Sequence, residues 1–344
     1  MIRTGVLLFA FTVFVLQPVR AQKIADEGLH SLISAGIEMS GKQEYRAALS
    51  SFSEAIQRYP KHPAGYINKA ILYMVMSLDF ETPVPSREYL SLLATTQKLG
   101  EVLAAQSATE WEGQYYLGMA RSYIAYYNFR DGENWLSGLS HGLKATGYFE
   151  KCLAKNPDAW DALTGIGTYM YWKSRNMRFL TWTPLMDDER EEGIAALLLA
   201  ERKAAYTAAQ ATNSLIWIYV ADERWDDAIR SAETILKRYP RNRLFLWGLA
   251  SAAEGKEQWS LAREAYKRIV NSIDGEVKER RYIEIQARAK IALMSAKLGD
   301  TNTARKESAW VLQRRGISLK GFTSDGAERI TRRIEEVEEM LEDL

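Results

Sequence analysis

Cysteine, histidine and proline are scarce: 1, 3 and 8 residues in a chain of 344. A single cysteine, Cys152, allows no internal disulfide. It sits in FEKCLAKNP on the apolar stripe of a predicted helix, without the electropositive surroundings a reactive thiol needs, so it reads as a small buried hydrophobe. None of His30, His62 and His141 pairs with a second ligand at i, i+4, so no zinc site is expected. There is neither a glycine-rich phosphate loop nor a D-x-D-x-D-G calcium loop. An excess of one charge is missing too: 45 basic residues face 44 acidic ones, which removes the positive field that nucleic-acid binding requires. No catalytic residue, metal or cofactor is expected. No apolar run reaches the roughly 20 residues of a membrane-spanning helix.

The longest such run, Gly5 to Leu16, follows Arg3 and precedes Val19-Arg20-Ala21. A basic start, a short apolar segment and a small-residue site have the pattern of an export signal, with cleavage expected after Ala21 and Gln22 as the mature start. The chain is 47% hydrophobic, enough for a large core. Compact cores stop growing near roughly 250–300 residues, so this length implies two domains or an elongated solenoid.

A recurring phrase decides between these. AIQRYPKHP (55–63), CLAKNPDAW (152–160) and ILKRYPRNR (235–243) each close an amphipathic, alanine-rich stretch with a proline that stops the helix. Around them the spacing is regular. Residues 29–62 place Gly36, Tyr45, Ala48, Phe52, Ala55 and Pro60 at positions 8, 17, 20, 24, 27 and 32 of a 34-residue unit. Residues 209–242 and 243–276 repeat it without a gap, through Leu215, Trp225, Ala228 and Pro240, then Leu249, Ala250, Trp259, Ala262 and Tyr266. Residues 285–318 supply Ile291, Ala292 and Ala304.

This pattern resembles the tetratricopeptide repeat, a helix–turn–helix unit. The resemblance implies an all-α, right-handed superhelix of about six hairpins, two of them with insertions, ending in a capping helix. Small residues at positions 8 and 20 let two helices approach, and each hairpin must stack because it cannot bury its apolar face alone. The expected organisation is a signal peptide over 1–21, a solenoid over 22–325 and a capping helix over 326–344. Residues 63–108 form an irregular unit, while 109–157 and 158–207 are expanded ones. In the first expanded unit the extra residues, NFRDGENWLSGLSHG (128–142), are expected between the two helices. In the second they are Lys173 to Asp188. The stretch from Gly138 to Ala204 is also similar to bacterial exported repeat proteins and to the eukaryotic mitochondrial outer-membrane and inclusion-body-clearance repeat family. That likeness implies a non-enzymatic role.

Gly138-Leu139-Ser140-His141-Gly142 matches G-x-S-x-G, the nucleophile elbow of serine hydrolases. The flanks are helical and no histidine follows, both of which count against the alternative of a hydrolase at Ser140. The expected working surface is the concave groove lined by the first helix of each unit. Position 5 there is Ile33, Tyr115, Thr164, Asn213, Trp247 and Ala289, and position 9 is Ile37, Met119, Thr168, Trp217, Ser251 and Leu293. This apolar and aromatic lining suits a protein or peptide partner. The second insertion gathers cations with aromatics, which also suits an anionic or glycan ligand of a soluble envelope receptor. The candidate contact residues are Tyr171, Trp172, Arg175, Arg178, Trp182, Asn213, Trp217 and Trp247.

Overall fold

The structure, a computed structural model, describes residues 23–132, 134–177, 187–273 and 278–344. Among the described residues there are fifteen helices and no strand. They pair in chain order: α1 (Glu27–Gly41) with α2 (Tyr45–Arg58), α3 (Pro63–Phe80) with α4 (Ser86–Ala104), and α5 (Glu110–Arg130) with α6 (Trp135–Lys155). Next come α7 (Ala162–Asn176) with α8 (Arg190–Lys203), α9 (Ala208–Ala221) with α10 (Trp225–Leu236), and α11 (Arg243–Gly255) with α12 (Trp259–Asn271). The last pair is α13 (Lys278–Lys297) with α14 (Thr301–Leu312), and α15 (Ser324–Glu342) caps the end. The irregular stretch after Pro63 thus forms a hairpin of its own.

Local chemistry sets these boundaries. Asp26, Asn134, Asn242, Asp300 and Thr323 each accept a hydrogen bond from a backbone N–H of the helix that follows. Four of the hairpins turn in the same way. Gln43, Glu223, Glu257 and Gly299 have left-handed φ of 62, 57, 59 and 72°. The next residue donates back five positions, as in Glu44 N–H to Met39 C=O at 2.9 Å and Arg224 N–H to Tyr219 C=O at 2.8 Å. That 6→1 bond satisfies a carbonyl the helix end would otherwise leave open.

Packing within a hairpin follows the small-residue positions. Ala48, Ala228, Ala262 and Ala304 are fully buried. A Cβ on Gly36 would collide with the Phe52 ring, and one on Gly118 would come within 2.6 Å of the Phe149 ring. These are one contact in two units: the pairs lie 16 and 31 positions apart, and the difference is the first insertion.

The extra residues expected between the helices do not form a separate segment. They extend α5 and α6 to 21 residues each and leave 131–134 as the connection. Gly138 and Gly142 therefore lie inside α6, where the rings of Phe129 and Tyr169 rest in the space their missing side chains leave. In the second expanded unit α7 runs on to Asn176, so Lys173 and Arg175 are helical; residues 178–186 lie outside the described set.

The apolar cores fall into a first group drawn from Ile24 to Ile166 and further groups drawn from Tyr171 to Val337. Yet the chain curves until its two ends meet. The end of α3 abuts the start of α11, the end of α1 abuts the turn before α11, and α15 docks on Glu81.

Candidate functional site

The inner face of the superhelix is where the first helices of the units converge, and α1 crosses part of it. At one end of α1 the Tyr206 hydroxyl accepts the Ile24 N–H at 2.9 Å and pairs with His30 Nδ1 at 2.7 Å. Tyr206 is held there by Asp161, a buried carboxylate at the start of α7. Asp161 accepts the N–H groups of Ala205, Tyr206 and Thr207 at 3.0, 2.8 and 2.8 Å, and the Thr207 hydroxyl at 3.0 Å. Burial raises its pKa and these bonds pull it back only in part. Burial likewise pushes the Tyr206 phenol up to about 12.

At the other end of α1 a seam forms between residues 164 to 201 positions apart in the chain. Arg238 donates to Glu38 at 2.7 Å and the Tyr239 hydroxyl donates to the same carboxylate at 3.0 Å. The Asn242 amide donates to the Gly41 carbonyl at 2.8 Å, and Gln43 Oε1 accepts the Arg243 N–H at 3.1 Å. Deeper in, Arg243 Nε donates to Asp79 Oδ1 at 2.8 Å, its terminal nitrogen pairs with Asp79 Oδ2, and the Tyr45 hydroxyl donates to Asp79 at 2.9 Å. The Arg243 and Asp79 side chains are 9% and 0% exposed, so this charge pair is desolvated. Burial opposes the Arg243 charge, but the bonds to Asp79 outweigh it and hold its pKa up; burial and the neighbouring Asp79 carboxylate raise the Tyr45 phenol well above its ordinary value.

Much of the expected groove is therefore filled. Ile33, Tyr115 and Met119 are buried, and the space they share with Ile67, Asn68 and Gln210 is about 20 Å³, room for one water. Ala289 is fully buried in the core of α13. Thr164 and Thr168 bond across to Thr207 and Ser214 at 2.8 and 3.1 Å. Two groove positions of α9 are only partly covered. Asn213 is partly buried, and its Oδ1 lies out of solvent without a hydrogen-bond partner; Trp217, one turn on, is half-buried. Trp247 leans edge-on against Tyr266, with centroids 5.4 Å apart.

The residues proposed around the second insertion separate. Tyr171 is a core residue with no exposed surface. Its hydroxyl donates to Asp222 at 2.7 Å, and Arg175 donates to the same carboxylate oxygen at 2.8 Å. Trp172 packs edge-on against Tyr171, at 5.1 Å between centroids. Lys173 is paired with Glu189. The helical cations of this insertion are thus neutralised within the chain, and Arg178 and Trp182 lie outside the described residues. Ser140 is exposed in the middle of α6, with no strand before it, so the elbow that the G-x-S-x-G match would need is not formed. Burial pushes the Cys152 thiol up to about 12, which keeps it protonated and inert. No cluster of three metal-ligating side chains occurs among the described residues.

Sequence reading missed the seam. Its one signal is Asp79, an acid closing the apolar run ILYMVMSLDF; such a residue implies a buried partner but does not say which.

Repeated hairpins with this small-residue register define a tetratricopeptide-repeat solenoid, and two of the chain's units match that family directly. The family model described as tetratricopeptide repeat matches residues 213–276. No curated protein matches the chain. Solved structures with a similar helical course include a thermophilic repeat protein of Thermus thermophilus, at 17% identity, TM-score 0.43, covering 66% of this chain and 99% of that one. A repeat protein of Parabacteroides merdae is 12% identical, with TM-score 0.39 and coverage of 90% and 100%. Yeast Tom70 is 12% identical, with TM-score 0.44 and coverage of 94% and 66%.

Proposed function

We propose that the protein is a non-enzymatic interaction scaffold of the cell envelope, which binds a protein or peptide partner on the open part of its inner face. The observation that carries the reading is Asn213. Its Oδ1 is out of solvent and unpartnered, which costs roughly 1–3 kcal/mol unless something donates to it. The half-buried ring of Trp217 stands one turn away. Once the Asn213 amide is turned outward, it and the neighbouring ring fit a backbone N–H and an apolar side chain of a bound peptide. The envelope location rests on the export pattern before Gln22.

A photo-crosslinking residue at position 217 of the full chain should trap one defined polypeptide, and Asn213→Leu should abolish the trapping. A trapped product indifferent to Asn213→Leu removes the site. Mass spectrometry of the native protein should begin at Gln22; recovery of the uncleaved chain in membranes reverses the location.

A further inference from the structure

We propose that the closed ring is the resting state of a two-state superhelix, in which the α1–α2 end occludes the leading part of the inner face until the seam opens. This builds on the inner-face reading above and adds a regulatory contact to it.

Three observations carry it. First, the occluding element belongs to the protein. Helix α1 spans from Tyr206, just before α9, to Asn242, just before α11, so it bridges the leading ends of the helices that carry Asn213, Trp217 and Trp247. Second, the seam separates without emptying a core. The core built from Ile24 to Ile166 and those built from Tyr171 to Val337 share no buried apolar residue; Phe80 and Tyr206 at their margins reach across, and the Tyr239 ring rests against Gly41. Leu163 also touches cores on both sides and α3 packs on α13; the hydrogen bonds and ion pairs across the seam, with those of α15 to Glu81, are contacts that water replaces. Third, the closed form leaves Asn213 Oδ1 unsatisfied. That atom has no accessible surface in the closed form, so a partner can donate to it only once the helices around it move, and such a differential interaction is what shifts the equilibrium.

The Asp79–Arg243 pair is the latch. Both charges are desolvated in the closed ring, so removing Arg243 leaves the Asp79 carboxylate buried with only the Tyr45 hydroxyl to hold it, and opening hydrates it. Arg243→Met should therefore move the population toward the open ring, while Asp79→Leu with Arg243→Met, which removes both charges, should restore closure.

The test uses small-angle scattering with circular dichroism on the full chain. A closed chain of this size has a radius of gyration of roughly 20 Å. Arg243→Met should raise it by about 10% or more with helix content unchanged, and the double variant should return it to the native value. Glu38→Lys, which sets like charges against Arg238 at the exposed edge, should act in the same direction and become more open at low salt. A single-charge variant that stays at the native radius overturns the latch, as does loss of helix in step with expansion in both Arg243→Met and Glu38→Lys. None of these readouts involves a partner. The crosslink at position 217 can thus fail while the latch stands, and the reverse.

Discussion

Phe149 is the residue on which the packing of the first expanded hairpin can be tested most sharply. Its ring, 1% exposed, lies between two glycines on different helices. A Cβ on Gly118 of α5 would stand 2.6 Å from the ring, and one on Gly165 of α7 would stand closer still. Carbon atoms pack at roughly 3.5–4.0 Å, so a methyl at either glycine displaces the ring by about 1 Å toward the other helix. Two effects then compete in Gly165→Ala. Alanine favours the helix by about 1 kcal/mol over glycine. Overpacking a filled core costs about 1–3 kcal/mol. Because the ring is held from both sides, the second effect wins, and Gly165→Ala should destabilise the fold by about 1 kcal/mol. Truncating the ring reverses the sign: in a Phe149→Leu background Gly165→Ala has room and should stabilise by up to about 1 kcal/mol. Phe149→Ala alone should cost about 3–5 kcal/mol. Urea unfolding followed by far-ultraviolet circular dichroism gives all the values in one cycle. If Gly165→Ala stabilises the otherwise native chain, the ring is not clamped and the reasoning fails.

Three further outcomes follow from the same packing and electrostatics. Glu223→Gly and Glu257→Gly relieve left-handed backbone, and each should raise stability by about 0.5–1 kcal/mol; a fall in the urea midpoint would show that these turns are not left-handed in solution. Ala228→Leu and Gly167→Leu should each lose about 1–3 kcal/mol, since Ala228 is fully buried and a Cβ on Gly167 would lie 2.5 Å from the Gly193 carbonyl; an unchanged melting temperature for either would mean the repeat register is wrong. Burial holds the Glu81 carboxyl above its ordinary 4.5, against the pull of Arg329 and Arg130. Its folded state thus binds the proton more tightly than the unfolded one, and its contribution to stability is greatest below pH 4.5 and declines as pH rises through the window above that value. Relative to Glu81→Gln, the native chain should become progressively less stable from pH 4.5 upward, measured by urea midpoints; a difference that does not change with pH refutes the assignment.

The sequence by itself determined whatever depends on neighbours in the chain. A small residue at Gly36 and an aromatic at Phe52 must meet when two consecutive helices fold back on each other, and the same pair recurs as Gly118 and Phe149. The all-helical class, the stacking order and the stop after each Tyr-Pro or Asn-Pro are consequences of such local pairings. Where the first insertion would go was not legible, because Gly138 and Gly142 fit either a turn into the second helix or a close helix approach. Only the rings of Phe129 and Tyr169, which need the space a side chain would take, make them helix residues. The fate of Tyr171 and Arg175 likewise turned on Asp222, about fifty positions away, which no local pattern ties to them. The ring itself was decided by tertiary structure alone. Each hairpin adds a small rotation to the one before, and whether Asp79 arrives beside Arg243 depends on the sum of those rotations over 164 residues. A change in any one of them would move the ends past each other. Closure is therefore a property of the whole superhelix, and Asn213 and Trp217 are groove positions that it leaves only partly covered.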